Sequence, residues 1–212
     1  MRFHVGPPPE TPIPKDEPWR PIREPGPILV QILALPVALV TLFFLFLLWG
    51  LVPVSNVRGE IVGISGLLGA LGVGLAVIAF HELLHALVMP GGWWSDRVLI
   101  GFWPQRLLFY AHYDGVMSRN RFLAVLLAPF LVLSLGPIGL AWSMAAGGSI
   151  SSWFLTVSFA VSLFNGLASC GDLLGVMLIG AQVPRKALVR NRGWHTLWRP
   201  RRADVEVSPY AQ

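Results

Sequence analysis

His81-Glu82-Leu83-Leu84-His85 is the stretch whose residue types and spacing could do chemistry. Two histidines at i and i+4 share one face of a helix, so both imidazoles can reach one metal ion. Glu82 follows the first of them and can stand beside a metal-activated water, where a general base is needed. The alternative is a structural polar cluster. The setting argues against it, because the motif lies inside an apolar run from Ile61 to Met89. Ionisable groups within a hydrocarbon-spanning helix are costly and mark functional sites by default.

A catalytic zinc usually takes three protein ligands and keeps a position for water. Besides Glu82, the only acidic residue within the long apolar runs is Asp172. His81 lies 20 positions past Ile61, and Asp172 lies 19 past Trp153. At a rise of 1.5 Å per residue both points fall roughly 30 Å along their helices, so they can meet at one level. His81, His85 and Asp172 are therefore the candidate Zn²⁺ ligands, with Glu82 as candidate base. Ser158, Ser162, Asn165, Ser169 and Asp172 are spaced by three or four and share a helix face. Asn165 on that stripe is a candidate to hold a substrate carbonyl or oxyanion, although part of the stripe fits ordinary interhelical hydrogen bonding. Cys170 points elsewhere on a regular helix. As the one cysteine, it excludes an intrachain disulfide and a multi-thiolate zinc site. His4, His112 and His195 lie outside the apolar runs and read as surface or interfacial residues.

The elements that must position these groups are apolar. Of the 212 residues 54% are hydrophobic and 13% charged, the balance of an integral membrane protein. Four runs are long enough to cross a bilayer: Ile28 to about Val52, Ile61 to Met89, Phe122 to Ala146, and Trp153 to about Ala181. The first is too long for a signal-peptide core and has no small-residue cleavage site after it, so it reads as an uncleaved span. Gly63, Gly66, Gly69 and Gly72, joined by Gly74, suggest a strip where another helix packs closely. Between the second and third runs, Val98 to Trp103 and Leu107 to His112 are rich in aromatic and aliphatic residues, separated by Pro104-Gln105. They predict a small β-hairpin or three-stranded sheet at the membrane surface. The alternative is an interfacial loop anchored by Trp93, Trp94 and Trp103.

The expected fold is thus an all-α polytopic membrane protein, with four transmembrane helices and a membrane-surface hairpin between the second and third. Residues 28–181 form the membrane domain. Residues 1–27 carry nine prolines and read as a disordered or polyproline-like tail, and 182–212 as a basic tail. Fifteen of the 16 Lys and Arg residues sit in the two tails and the central loop, and only Arg58 lies elsewhere. The positive-inside rule then places both termini in the cytoplasm. Basic residues beside spans have anionic lipid as their nearer partner, which weakens a nucleic-acid reading of the net charge of +5.

The His81–His85 motif and Asn165-Gly166-Leu167-Ala168-Ser169-Cys170-Gly171-Asp172 together resemble the zincin peptidases of bacterial membranes, relatives of the site-2 intramembrane metalloproteases. The resemblance covers about residues 61 to 180. In the site-2 proteases the third ligand usually sits in an Asp-Gly context with prolines before it, whereas here Asp172 precedes Leu173. The resemblance implies peptide-bond hydrolysis in a bacterial cytoplasmic membrane. The substrate would be a transmembrane protein or peptide, whose helix must unwind before attack. An edge strand between Val98 and Ser118 could hold the opened segment by β-augmentation. The rival readings are a non-proteolytic metal-binding scaffold or regulator, which does not need Glu82, and a metal transporter, for which the spans hold too few acidic residues.

Overall fold

The computed structural model describes residues 1–12, 17–53, 64–148 and 150–201. They divide into two compact units. The divisions fall at 33/34, 81/82, 128/129 and 170/171, so each unit takes part of several helices.

The first unit contains residues 1–33, 82–128 and 171–212. Its β-strands are β1 (Arg2–Val5), β2 (Arg20–Pro21), β3 (Val98–Trp103), β4 (Leu108–Tyr113), β5 (Met117–Ser118), β6 (Ala187–Arg192) and β7 (His195–Pro200). One sheet has the order β1-β3-β4, the other β2-β7-β6-β5. The expected hairpin is present as the antiparallel β3–β4 pair, with Ile100 opposite Ala111. It turns through a short 3₁₀ segment at Pro104–Arg106 and a left-handed Leu107, φ 48°.

Two expectations for the tails are corrected here. Residues 1–27 are not simply a proline-rich tail, because Arg2–Val5 precede the first proline and pair in parallel with Leu99–Phe102. Arg20–Pro21 pair with Leu197–Trp198. The basic tail likewise folds into the β6–β7 hairpin, turning at Gly193, whose φ of 56° suits glycine. Both tails are therefore hydrogen-bonded into the sheets that carry the central loop. Arg201 is the last residue described, and residues 54–63, which include most of the loop expected from Pro53 to Glu60, also lie outside the described residues.

Helix α3 (Arg119–Pro129) anchors this unit. Arg121 Nε donates to the Val88 carbonyl and an Arg119 guanidinium N–H to the Gly180 carbonyl. These are carbonyls in the last turns of α2 (Ile64–Val88) and α6 (Cys170–Gln182), where helices leave acceptors open and favour cations. Ala86, Met89, Val98, Tyr113, Phe122, Val125 and Ile179 share one apolar core. His112, expected near the surface, is buried to 2% exposure on β4. Burial pushes its pKa below the usual histidine range.

The second unit contains residues 34–81 and 129–170. It takes most of α1 (Pro27–Gly50) and α2, a π-helical turn at Phe130–Leu135, α4 (Gly136–Ala146) and α5 (Ser152–Ala168). Leu45, Trp49, Val52, Ile138, Ala141 and Leu155 form its core. Gly166 permits a close approach, since a Cβ there would stand 2.4 Å from a Leu45 methyl. The glycine strip of α2 behaves otherwise. Among the described residues, nothing lies within 4 Å of a virtual Cβ at Gly69 or Gly72, and Gly74 meets Phe164 at 3.9 Å; Gly63 lies outside them.

Two described helices are long and apolar enough to cross a membrane, Ile28–Gly50 and the continuous Arg119–Ala146, or up to three if a bent pair counts as one span. That pair is α5 and α6, where the fourth apolar run breaks by 48°. Ser169 sits at ψ −1° between them, and its N–H bonds Asn165 and Leu167 carbonyls, tightening the last turn of α5.

The sheets tie both tails to the central loop. Single cysteines at Phe3, Leu107 and Arg192, in a Cys170→Ser background, should react with an impermeant maleimide from the same side of the membrane. Labelling of position 3 from the opposite side would break the β1–β3 pairing.

Candidate metal centre

Helix α2 carries His81, Glu82 and His85, all buried. One helical turn separates the two histidines, as the i, i+4 spacing requires. Asp172 lies in the first turn of α6. The ligand atoms of His81, His85 and Asp172 all lie within 4.8 Å of one another, the grouping expected of the three residues.

Each histidine is oriented by its far nitrogen. His85 Nδ1 lies 2.8 Å from the Val125 carbonyl oxygen. A carbonyl only accepts, so Nδ1 carries a proton, and in the neutral ring Nε2 then keeps its lone pair. His81 Nδ1 lies 2.9 Å from Asn165 Oδ1. The Asn165 amide orientation follows from its other contacts. Nδ2 donates to the Pro129 carbonyl at 2.9 Å, an obligate acceptor, and lies 2.8 Å from Ser134 Oγ and 3.2 Å from Ser169 Oγ. Oδ1 therefore faces His81 and accepts from its Nδ1–H, again leaving Nε2 as the electron-pair donor.

His85 Nε2 lies 3.4 Å from Asp172 Oδ2. A neutral imidazole and a carboxylate both present lone pairs there, so the pair calls for a cation. A proton would make it an ion pair; a metal ion would make both groups ligands. Ligands 2.0–2.2 Å from a tetrahedral ion stand roughly 3.3 Å apart, close to this separation. The second imidazole, oriented in the same way, makes the donor set one of two neutral nitrogens and a carboxylate. That set fits zinc with a position left open. Glu82 is adjacent to a ligand and is not needed as one.

Asn165 is at the site, where its contacts are with protein groups. It is fully buried and its amide is engaged on both sides by protein groups. Its Oδ1 holds His81, one of the three candidate ligands. Sequence reasoning gave no site role to Val125, Pro129 and Ser134: the first two act through backbone carbonyls, which leave no mark in residue type, and Ser134 through a hydroxyl on a different helical segment from the polar stripe. The polar stripe did point to the buried seam: Ser162 Oγ donates to the Ser134 carbonyl, and Trp49 Nε1 donates to Ser162 Oγ.

Comparison with protein families supplies the decisive observation: residues 74–188 match the model of a family described as "Putative zincin peptidase". The chain belongs to that family. The matched stretch contains His81, Glu82, His85, Asn165 and Asp172, so the whole donor set lies inside the zincin region. No curated protein and no solved structure matches the chain. Membership in the zincin family points to metallopeptidase chemistry and to zinc, in agreement with the donor set.

Protein purified in detergent as His85→Ala or Asp172→Ala should carry much less zinc than wild type. Full occupancy in Asp172→Ala would remove Asp172 from the ligands. Asn165→Ala should weaken zinc binding by about 10- to 100-fold, the usual effect of losing a ligand's hydrogen-bond partner. Unchanged zinc affinity with impaired turnover would favour the substrate-binding role.

Proposed function

We propose that the protein is a zinc-dependent intramembrane endopeptidase that hydrolyses peptide bonds of membrane-embedded substrates. The observation that carries this reading is the placement of two oriented imidazoles, Asp172 and buried Glu82 on apolar helices. Helix α2 is read as a further span on its length of 25 residues, against the about 20 a hydrocarbon core needs, although its stretch Gly72–Val88 by itself is shorter. With α1, the α3–α4 segment and the α5–α6 pair it gives four spans. The sheets support a common side for both tails and the central loop, since strands from all three pair with one another. With nearly all the arginine and lysine there, the positive-inside rule makes that side cytoplasmic, in a bacterial cytoplasmic membrane.

His81, His85 and Asp172 would hold the ion. Zinc supplies Lewis acidity, lowering the pKa of water and polarising a scissile carbonyl. Glu82 takes the proton of the attacking water and delivers it to the amide nitrogen as the C–N bond breaks. Val125 and Asn165 keep the two imidazoles aligned throughout. The substrate is a transmembrane protein or peptide whose helix must open locally before attack. β3 is flanked on both sides, so among the described residues the strand edges left for an extended substrate in the central loop are those of β4 and β5.

Replacing Glu82 separates chemistry from binding. Glu82→Gln keeps size and hydrogen bonding but removes the base, so zinc should stay bound. Turnover should fall by about 10² to 10⁴-fold, the usual worth of general-base catalysis. Zinc content and cleavage of a single-span substrate are read on one preparation. Zinc retained with cleavage unchanged would show that Glu82 is not the base.

A further inference from the structure

We propose that Pro129 is a positioning residue for the metal centre: by withholding a backbone donor, it leaves the Val125 carbonyl to hold His85. This rests on the zinc reading of the site. In a regular helix each carbonyl accepts from the N–H four residues on. For Val125 that residue is 129, a proline, which has no N–H. The carbonyl is turned instead to His85 Nδ1, 2.8 Å away. An alanine at 129 would supply the missing donor, and the carbonyl would then share its acceptance between the helix and the imidazole.

Pro129 serves the other histidine through its own carbonyl. That oxygen accepts from Asn165 Nδ2, and Asn165 Oδ1 accepts from His81 Nδ1–H. Both tethers therefore run through one position in the chain: the carbonyl four residues before the proline takes His85, and the proline's own carbonyl takes the residue that holds His81. Its ring is fully buried. The chain continues from it as the π-helical turn Phe130–Leu135, with the Gly136 N–H bonded to the Leu131 carbonyl, five residues back. π-Turns of this kind are frequent at functional sites. An interior proline lowers helix stability, so its place here has a positioning rather than a stabilising rationale. Pro36 in α1 is the natural contrast, since it sits in a span that carries none of the site residues.

The test is zinc affinity, measured by chelator competition on full-length wild type, Pro129→Ala and Pro36→Ala in detergent, with thermal unfolding of each. Pro129→Ala should bind zinc at least tenfold more weakly while unfolding at or above the wild-type temperature. Pro36→Ala should bind zinc like wild type. Wild-type affinity in folded Pro129→Ala would overturn the proposal and leave the zinc reading standing; no zinc binding by wild type would overturn both. Should Pro129→Ala fail to fold, nitrogen NMR of ¹⁵N-histidine-labelled, zinc-loaded wild type decides. The His85 signal, identified by its loss in His85→Gln, should show a slowly exchanging proton on Nδ1. A rapidly exchanging Nδ1 proton, or a proton on Nε2, would overturn the proposal.

Discussion

The hydrogen bond from each imidazole Nδ1–H to an oxygen that can only accept is the interaction on which the site depends. An imidazole has two nitrogens and two tautomers, and only one of these presents Nε2 as a donor to a metal. Water could solvate either tautomer, but both rings are buried. The choice is made by the Val125 carbonyl for His85 and by Asn165 for His81. Asn165 is fixed in turn by the Pro129 carbonyl and two serine hydroxyls. Without this shell the His-Glu-x-x-His spacing would bring two rings to one face without saying which nitrogen looks inward.

Apolar helices make such a shell expensive to leave incomplete. A buried donor or acceptor without a partner costs about 1–3 kcal/mol, so polar groups in this setting come as connected sets. The seam from Trp49 through Ser162 and Ser134 to Asn165 is one such set, and every link in it is a hydrogen bond of 2.8–3.0 Å. The two arginines that open α3 extend the same logic to helix ends. They bond carbonyls in the last turns of α2 and α6, the helices that bear His85 and Asp172. One helix thus fixes a ring, and the axial position of the two helices that bring ligands to it.

The chemistry was more legible than the scaffold. His81, Glu82 and His85 announce themselves by spacing, and Asp172 stands out as an acid in an apolar run; all four were readable because ionisable groups in an apolar run are conspicuous. β3 and β4 were readable from their aromatic and aliphatic runs and the proline between them. β1 and β2 were not. A four-residue and a two-residue strand in a proline-rich tail have no period of their own, and they exist because β3 and β7 offer edges. The β6–β7 hairpin did carry a signal, the β-prone residues Leu188-Val189 and Thr196-Leu197-Trp198 on either side of Gly193, which the basic composition of the tail obscured. The fourth apolar run reads as one helix because hydropathy does not see the turn at Ser169. Asn165 was found but its bond to His81 was not, since a sequence shows that an amide is present and not which way it faces.

Zinc K-edge X-ray absorption on the loaded wild-type protein tests the central claim most directly. The account predicts multiple-scattering signals from two imidazoles, with nitrogen and oxygen neighbours at about 2.0–2.2 Å. A sulfur neighbour at about 2.3 Å, which only Cys170 or a methionine could supply, or the signature of a single imidazole, would contradict it.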